Sequence, residues 1–389
     1  MGWFRRKKYA FQAGDRHYPV MASLVADQFR QAQSANLNIS QNDHMYAHTE
    51  LVLGAGPEVL TTYFRAGMQI ADAALQIVNW AFGEPRKMSG LLDFACGYGR
   101  GTRFLAAAMP AERIWASDIL PGAVKFQTTE FRVNGIRSST SPADFHCGRR
   151  FDCIFVASLF THLPESTFLP WLRALYGLLT PGGVLAFSVH DEAVAPADVV
   201  MPSSGFCFIH FNEISALATS DYGVAIVTES VVRDAISQAT GRSVYHRIRL
   251  GLCHHQDIYI VSNRPDPAFS KLRFQHGPYG HLDGMSLNAA GELMLSGWAV
   301  EISPDANVAE IQVCLDGRVV QRCTTNIPRP DLPAHFGKDD PKLRDAGWSC
   351  TASLTGKDQS GKVLVVKALS TSGKGFVLHT EELPREPGA

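Results

Sequence analysis

The chain has 389 residues, 46% of them hydrophobic and 19% charged, with a formal net charge of −1. This is the composition of an ordinary globular protein long enough for two domains, and it excludes a disordered chain or one devoted to nucleic acid. No apolar run approaches the ~18 residues of a membrane span, and the eight cysteines show no C-x-x-C pair, so reduced thiols, no metal site and a cytoplasmic location are expected.

The N-terminus carries Trp3, Phe4, Arg5, Arg6, Lys7 and Lys8. Such a tip suits an anionic membrane surface or an acidic partner, peripheral to the inner membrane face, and equally reads as a solvated terminus. No signal-peptide pattern follows it. Residues 1–84 are expected to form a helical segment; Thr61–Trp80 sets Phe64, Met68, Ala71, Leu75 and Val78 at helical spacing. The pattern then changes. LLDFAC reads as a short buried strand, Arg100–Met109 as a helix, and Ile114–Ile119 as a second strand. Pro121 and Gly122 open another helix, and a third strand near Ile136–Thr140 is poorly marked. Phe151–Phe160 is an apolar strand, Pro164–Leu179 a helix stopped by Thr180-Pro181-Gly182-Gly183, and Val184–Val189 a further strand. After an insertion (191–224) come a helix, Glu229–Ala239, and strands at Val244–Leu250 and Asp257–Val261. Alternating strands and helices imply an α/β, doubly wound, mostly parallel sheet, here spanning 85–263.

Arg264-Pro265-Asp266-Pro267 reads as a linker. Beyond it no helix is expected. Short alternating runs at Glu292–Val300, Ala309–Leu315, Val319–Thr324, Trp348–Leu354, Val363–Leu369 and Phe376–Thr380, with turns such as Asp316-Gly317, predict an all-β sandwich over 272–389.

The chemistry starts at LLDFACGYGRG, where Gly97, Gly99 and Gly101 follow a strand and precede a helix. Such a turn lets backbone N–H groups approach an anion. The dinucleotide fingerprint G-x-G-x-x-G requires glycine at 102, where Thr102 stands; the strand-terminal acid that reads a ribose is present as Asp118. A nucleoside-containing cofactor is better supported than a pyrophosphate.

LLDFACGYGR, WASDI, FDCIFVASLFTHL and LLTPGGVLAFSVH together resemble the class I S-adenosylmethionine-dependent methyltransferases, over roughly residues 40–262. The resemblance implies a Rossmann-like seven-stranded sheet and S-adenosyl-L-methionine as cofactor. It places Asp93, Cys96, Gly97 and Gly99 at the methionine half, Arg100 at the cofactor carboxylate, Asp118 on the ribose hydroxyls, Ile119 on the adenine and Asp144 near the adenine amine. Ser158 to His162 would border cofactor and acceptor, and Asp43 to Tyr46, with Tyr63, would close over the methionine end, so that the N-terminal segment partly covers the site. Each position also has a plain structural reading: Asp93 and Asp118 as caps, Arg100 as a solvated helix residue, His162 as a satisfied histidine, Asp144 and the tyrosines as packing.

A hydroxyl acceptor must lose a proton, and His162, His190 and Asp191 follow the strands at the right edge of the sheet. His210, Glu213 and Tyr222 of the insertion are further candidates, and its Phe206, Phe208 and Phe211 read as packing or as acceptor contacts. LSGWAVEI, IQVCLDGRVV, RPDLPAHF and AGWSCTASL resemble a β-sandwich module of bacterial surface-glycan (O-antigen type) assembly enzymes. That implies a glycan or saccharide acceptor and glycan-assembly proteins as partners, with Trp298 and Trp348 either stacking on sugar rings or packed in the sandwich core. The rivals are a methyltransferase of small metabolites or lipids, a non-catalytic scaffold, and a nicotinamide oxidoreductase; Thr102 and the lack of a Tyr-x-x-x-Lys pair speak against the last.

Overall fold

The computed structural model describes residues 8–29, 34–210, 218–288, 291–336, 339–353 and 361–384. Trp3 to Lys7 of the basic tip, Phe211 and Glu213 of the insertion, and Leu354 lie outside the described residues. The chain divides into two compact units. One comprises Met1–Ala13, Gln31–Ala47 and Ala66–Phe274, the other Gly14–Arg30, His48–Arg65 and Gln275–Ala389.

From the N-terminus, β1 (Tyr9–Phe11), α1 (Tyr18–Gln28), β2 (Ile39–Ser40), α2 (His44–Leu53) and α3 (Pro57–Phe82) precede the sheet. Residues 1–84, expected as a helical segment partly covering the cofactor site, contribute stretches to both units. In the second unit the α1 stretch is fixed by ion pairs of Arg16 with Glu382 and of Asp27 with Lys367. In the first unit β1 pairs with β2. Lys8, Tyr9, Asn36 and Asn38 all bond to Glu130, and these bonds outweigh burial to hold that carboxyl at about 2.

The first unit then runs β3 (Leu91–Phe94), α4 (Thr102–Ala108), β4 (Ile114–Asp118), α5 (Pro121–Glu130), β5 (Asn134–Arg137), β6 (Phe151–Val156), α6 (Glu165–Gly177) and β7 (Leu179–Asp191). β8 (Phe206–Ile209), β9 (Val224–Val227), α7 (Glu229–Thr240), β10 (His246–Leu252) and β11 (Gln256–Ser262) complete it. The strand order is β10-β11-β7-β6-β3-β4-β5. β5, β4, β3, β6 and β7 are mutually parallel, and β11 is antiparallel to both neighbours. This is the Rossmann-like, mostly parallel sheet that the alternation predicts. Its central strands are mostly apolar because both faces are covered; Leu92, Phe94, Ile154, Val156, Leu185 and Phe187 share one core with Phe168, Trp171 and Leu172 of α6. The Thr180–Gly183 stretch lies within β7 as an irregularity, with Gly182 at φ 83° and a register shift against β6. The insertion forms a β8–β9 hairpin ladder that extends the carboxyl end of β7.

The second unit contains β12 (Pro278–Leu287), β13 (Glu292–Glu301), β14 (Val308–Leu315), β15 (Arg318–Cys323), β16 (Gly347–Ser353), β17 (Val363–Ser370) and β18 (Gly375–Glu382). They form antiparallel sheets β12-β13-β16 and β15-β14-β17-β18. Leu293, Leu295 and Trp348 of the first sheet and Ile311, Val313, Leu364 and Val366 of the second share one core, as a sandwich requires. One feature differs from expectation. Short helices α8 (Leu332–His335) and α9 (Pro341–Arg344) occupy a stretch expected to hold none, each begun where aspartate and proline favour a first turn. Trp298 and Trp348 are buried, Trp298 against Tyr279 and Phe336, so neither offers a face to a sugar.

Candidate functional site

In chain order the sheet grows from β3 to β4 and β5 on one side, then returns to place β6 on the other side of β3. The order therefore reverses at β3, and a ligand crevice is expected beyond the carboxyl ends of β3 and β6. The glycine turn and Ser158 stand there.

The turn is left-handed at alternate residues, with φ 58° at Ala95, 56° at Gly97 and 78° at Gly99. Ala95 adopts this conformation despite its side chain, a mark of a constrained functional turn. Gly99 has no room either: a Cβ would stand 2.5 Å from Phe131 and 2.8 Å from Gln127. Gly97 is different, since a Cβ there would meet no heavy atom within 4 Å. The third glycine is not a turn residue. Gly101 has φ −86° and is glycine because α3 passes close by, with Ile70 Cγ2 2.6 Å from where its Cβ would be.

Three N–H groups of the turn are spent internally: Cys96 N–H donates to Ser117 O, Gly99 N–H to Cys96 O, and Gly97 N–H to Asp118 Oδ2 at 2.8 Å. Those three are therefore not offered to an anion. Asp118 also accepts from Leu120 N–H at 2.9 Å, one bond on each oxygen. A carboxylate offers about four lone-pair sites, so Asp118 retains acceptor capacity for a pair of hydroxyls. Burial lifts its pKa above the ordinary value, against the pull of the two N–H bonds and nearby His44.

Asp93 is buried at the end of β3 and accepts the Thr102 hydroxyl at 2.6 Å. The residue that breaks the dinucleotide fingerprint thus ties the strand to α4. Burial pushes the Asp93 pKa to about 7, aided by the charge of Asp118 and opposed by Thr102. In the unfolded chain the group ionises near pH 4. Between those values the folded protein keeps a proton that the unfolded chain has lost, so stability falls as pH rises. The loss expected from about pH 4 to about pH 7 is about 4 kcal/mol in ligand-free protein. Asp93→Asn removes this slope. Denaturant unfolding of both proteins across that range measures the difference.

The other candidates are placed as follows. The Cys96 thiol donates to Ser117 O and receives the Gln127 amide at 3.0 Å, and burial pushes its pKa well up, which makes it a packing group. Arg100 and Ile119 are half-buried beside the turn, Asp144 is exposed in the turn between β5 and β6, and Tyr46 is half-buried in the first turn of α2, capped by buried Asp43. Tyr63 is a core residue of the second unit, edge-on to Phe64. Ser158 has φ 62°, and its N–H donates to Ser188 Oγ at 2.8 Å within a network closed by Gln256.

The proposed bases separate clearly. Asp191 is bound to Arg247 at 2.7 Å and caps Ala193, and Arg247 also grips Asp257 and Glu229. The candidate base Asp191 is therefore a structural anchor holding the end of β7 to β10, not a proton acceptor. His190 contacts the His255 ring and bonds to the Ala225 backbone; burial first, then the neighbouring histidines, bring its pKa to about 4. His162 Nδ1 lies 2.7 Å from Gly223 O, and its ring stacks on Tyr222 at 4.5 Å. A carbonyl only accepts, so Nδ1 carries a proton. His210 bonds Thr219 O in an exposed loop, and Phe206 is core, packed on Phe168.

The sequence did not single out Gln127 or Arg103. Gln127 is fully buried and donates to Gly97 O at 2.7 Å; buried Arg103 binds Gly99 O, Asn36 O and Asn38 O, locking the turn to the segment before α2. A charged residue four after Gly99 on an otherwise apolar helix was the available signal. Among the described residues no group of three or more His, Cys, Asp or Glu could hold a metal ion, and no helix is long and apolar enough to cross a membrane.

Residues 92–185 match the family model described as a methyltransferase domain. The chain is similar to a trans-aconitate 2-methyltransferase of Methylobacterium radiotolerans, 30% identical over 112 residues, covering 28% of this chain and 41% of the relative. The chain thus spans about two fifths of the length of that curated relative. Among solved structures it resembles DesVI of Streptomyces venezuelae, at 15% identity over 57% of this chain and 97% of that one, with a TM-score of 0.39. It also resembles the 1,6-didemethyltoxoflavin-N1-methyltransferase of Burkholderia thailandensis, at 17% identity over 50% and 78% of the two chains, with a TM-score of 0.35. The matched residues 92–185 run from the strand before the glycine turn through β6 into β7.

Proposed function

We propose that the chain is an S-adenosylmethionine-dependent methyltransferase whose acceptor is a hydroxyl of a saccharide or polysaccharide precursor. The observation that carries the reading is Asp118, held at the switch point by Gly97 and Leu120 N–H with acceptor capacity to spare. An acid so placed suits the two hydroxyls of a ribose, and the spending of three turn N–H groups, Gly97's on that acid, favours a nucleoside over a pyrophosphate. The open space beside Gly97 admits the cofactor's approach, and Asp93, Arg100, Tyr46 and Ser158 line the reading toward its amino-acid half, with Ile119 and Asp144 toward the base.

The cofactor supplies a methyl group already activated on a sulfonium sulfur. The chain's own residues position the acceptor and take its proton. His162 is the better base of the two histidines: the Gly223 bond fixes its ring orientation, whereas a group at about 4, as His190 is, binds a proton too weakly near neutral pH. His190 then acts as a neutral wall beside it. A hydroxyl acceptor explains a fixed base; the saccharide class rests on the C-terminal module's resemblance to glycan-assembly modules, with Trp298 and Trp348 packed in the sandwich rather than stacking on sugar.

The test is release of S-adenosylhomocysteine from S-adenosylmethionine with a panel of oligosaccharides and carboxylic acids. With a hydroxyl acceptor, His162→Asn lowers kcat by about 10²- to 10⁴-fold and leaves S-adenosylhomocysteine affinity intact. A carboxylate acceptor, the class in the name of the curated relative, is already ionised and needs no base. Turnover of carboxylic acids alone, insensitive to His162→Asn, overturns the saccharide reading.

A further inference from the structure

Cys323 ends β15 and Cys350 lies within β16. β15 is an edge strand of the four-stranded sheet and β16 an edge strand of the three-stranded sheet. In their ladders Cys323 stands opposite Ile311 and Cys350 opposite Leu295, and both of those partners are buried in the sandwich core. Directly opposed residues share a face of the sheet, so both cysteines face inward, one from each layer. They pack against the same core, and their thiols lie within hydrogen-bonding reach of each other. Gln321 Nε2 donates to Thr351 O at 2.7 Å and clamps the same two edges. Neither cysteine is fully buried, so a small reagent has access.

We propose that Cys323 and Cys350 are a redox modification site, forming a reversible disulfide that staples the two sheets by exchange with a low-molecular-weight disulfide such as oxidised glutathione. The Cys350 thiolate attacks one sulfur of the external disulfide, forming a mixed disulfide and expelling one thiolate. The Cys323 thiolate then attacks the Cys350 sulfur, forming the internal disulfide and expelling the second thiolate. The two cysteine protons end on the expelled thiolates, so two protein thiols lose two electrons and one external disulfide becomes two thiols. The bond between the two thiols lowers Cys350 and, with burial, raises Cys323, so Cys350 is written as the first nucleophile; attack in the reverse order gives the same internal disulfide. Burial pushes the thiols of Cys96, Cys153 and Cys314 up, which leaves them poor competitors. The closed loop, 324–349, includes α8 and α9, and closing it restricts the unfolded chain.

The test is incubation of the full chain with oxidised glutathione, blocking of residual thiols with N-ethylmaleimide, and non-reducing peptide mass spectrometry. The expected product is a Cys323–Cys350 cross-linked peptide, released by dithiothreitol, with a higher melting temperature for the oxidised protein. Cys323→Ser is expected to stop at the Cys350–glutathione mixed disulfide and show no such rise. Recovery of both cysteines as separate maleimide or glutathione adducts, with no cross-link, overturns the proposal. The result does not depend on the methyl-transfer reading.

Discussion

Asp118→Ala is expected to weaken S-adenosylhomocysteine binding by about a hundredfold or more, since it removes two charge-assisted hydrogen bonds of about 1.5–3 kcal/mol each. The loss has a second source. Gly97 and Leu120 N–H both end on this carboxylate, so its removal also frees the turn that shapes the site. Asp118→Asn should fall between wild type and alanine, because the amide keeps one oxygen but must turn its NH2 toward one of those donors. Calorimetric titration gives the affinities, and a thermal melt separates lost binding from lost folding. Unchanged affinity in folded Asp118→Ala would remove the acid from the cofactor site.

The largest stability effect is expected at Arg247. Its guanidinium joins Asp191 from the end of β7, Glu229 from the first turn of α7 and Asp257 from β11. Asp191 and Asp257 are only 6% and 2% exposed. Arg247→Met leaves those buried carboxylates without their cation, which costs about 3–5 kcal/mol. Denaturant unfolding of the variant and the parent chain at neutral pH measures the loss. Asp191→Asn keeps a polar partner for Arg247 and should leave methyl transfer largely intact, as an anchor rather than a base.

Much of the first unit was legible because its central strands are buried on both faces. LLDF and FDCIFV are apolar apart from Asp93 and Asp152 for that reason. β5 was hard to place because it is the sheet's edge, half-exposed, with a glycine in its middle. β12 was missed in the second unit for a related reason: PYGHLDGMSL lacks alternation, and Gly280 is there because a Cβ would stand 2.2 Å from Trp298 O across the ladder. At the site, the glycine turn and the strand-terminal acid could be found by spacing, since both lie within one strand–helix–strand unit. Which N–H each glycine spends, and on what, could not. Gly97 donates to a residue 21 positions away, and Gln127 and Arg103 brace the turn from separate helices. Asp191 looked like a base because its partner Arg247 is 56 residues distant in sequence and meets it only through β10 and β11.

The most direct measurement is calorimetric titration of the intact chain with S-adenosylhomocysteine, with NADH in parallel. Binding of S-adenosylhomocysteine, abolished or strongly weakened by Asp118→Ala, and no heat with NADH, is the predicted result. NADH binding, or no binding of S-adenosylhomocysteine by folded protein, would contradict a nucleoside amino-acid site at the glycine turn.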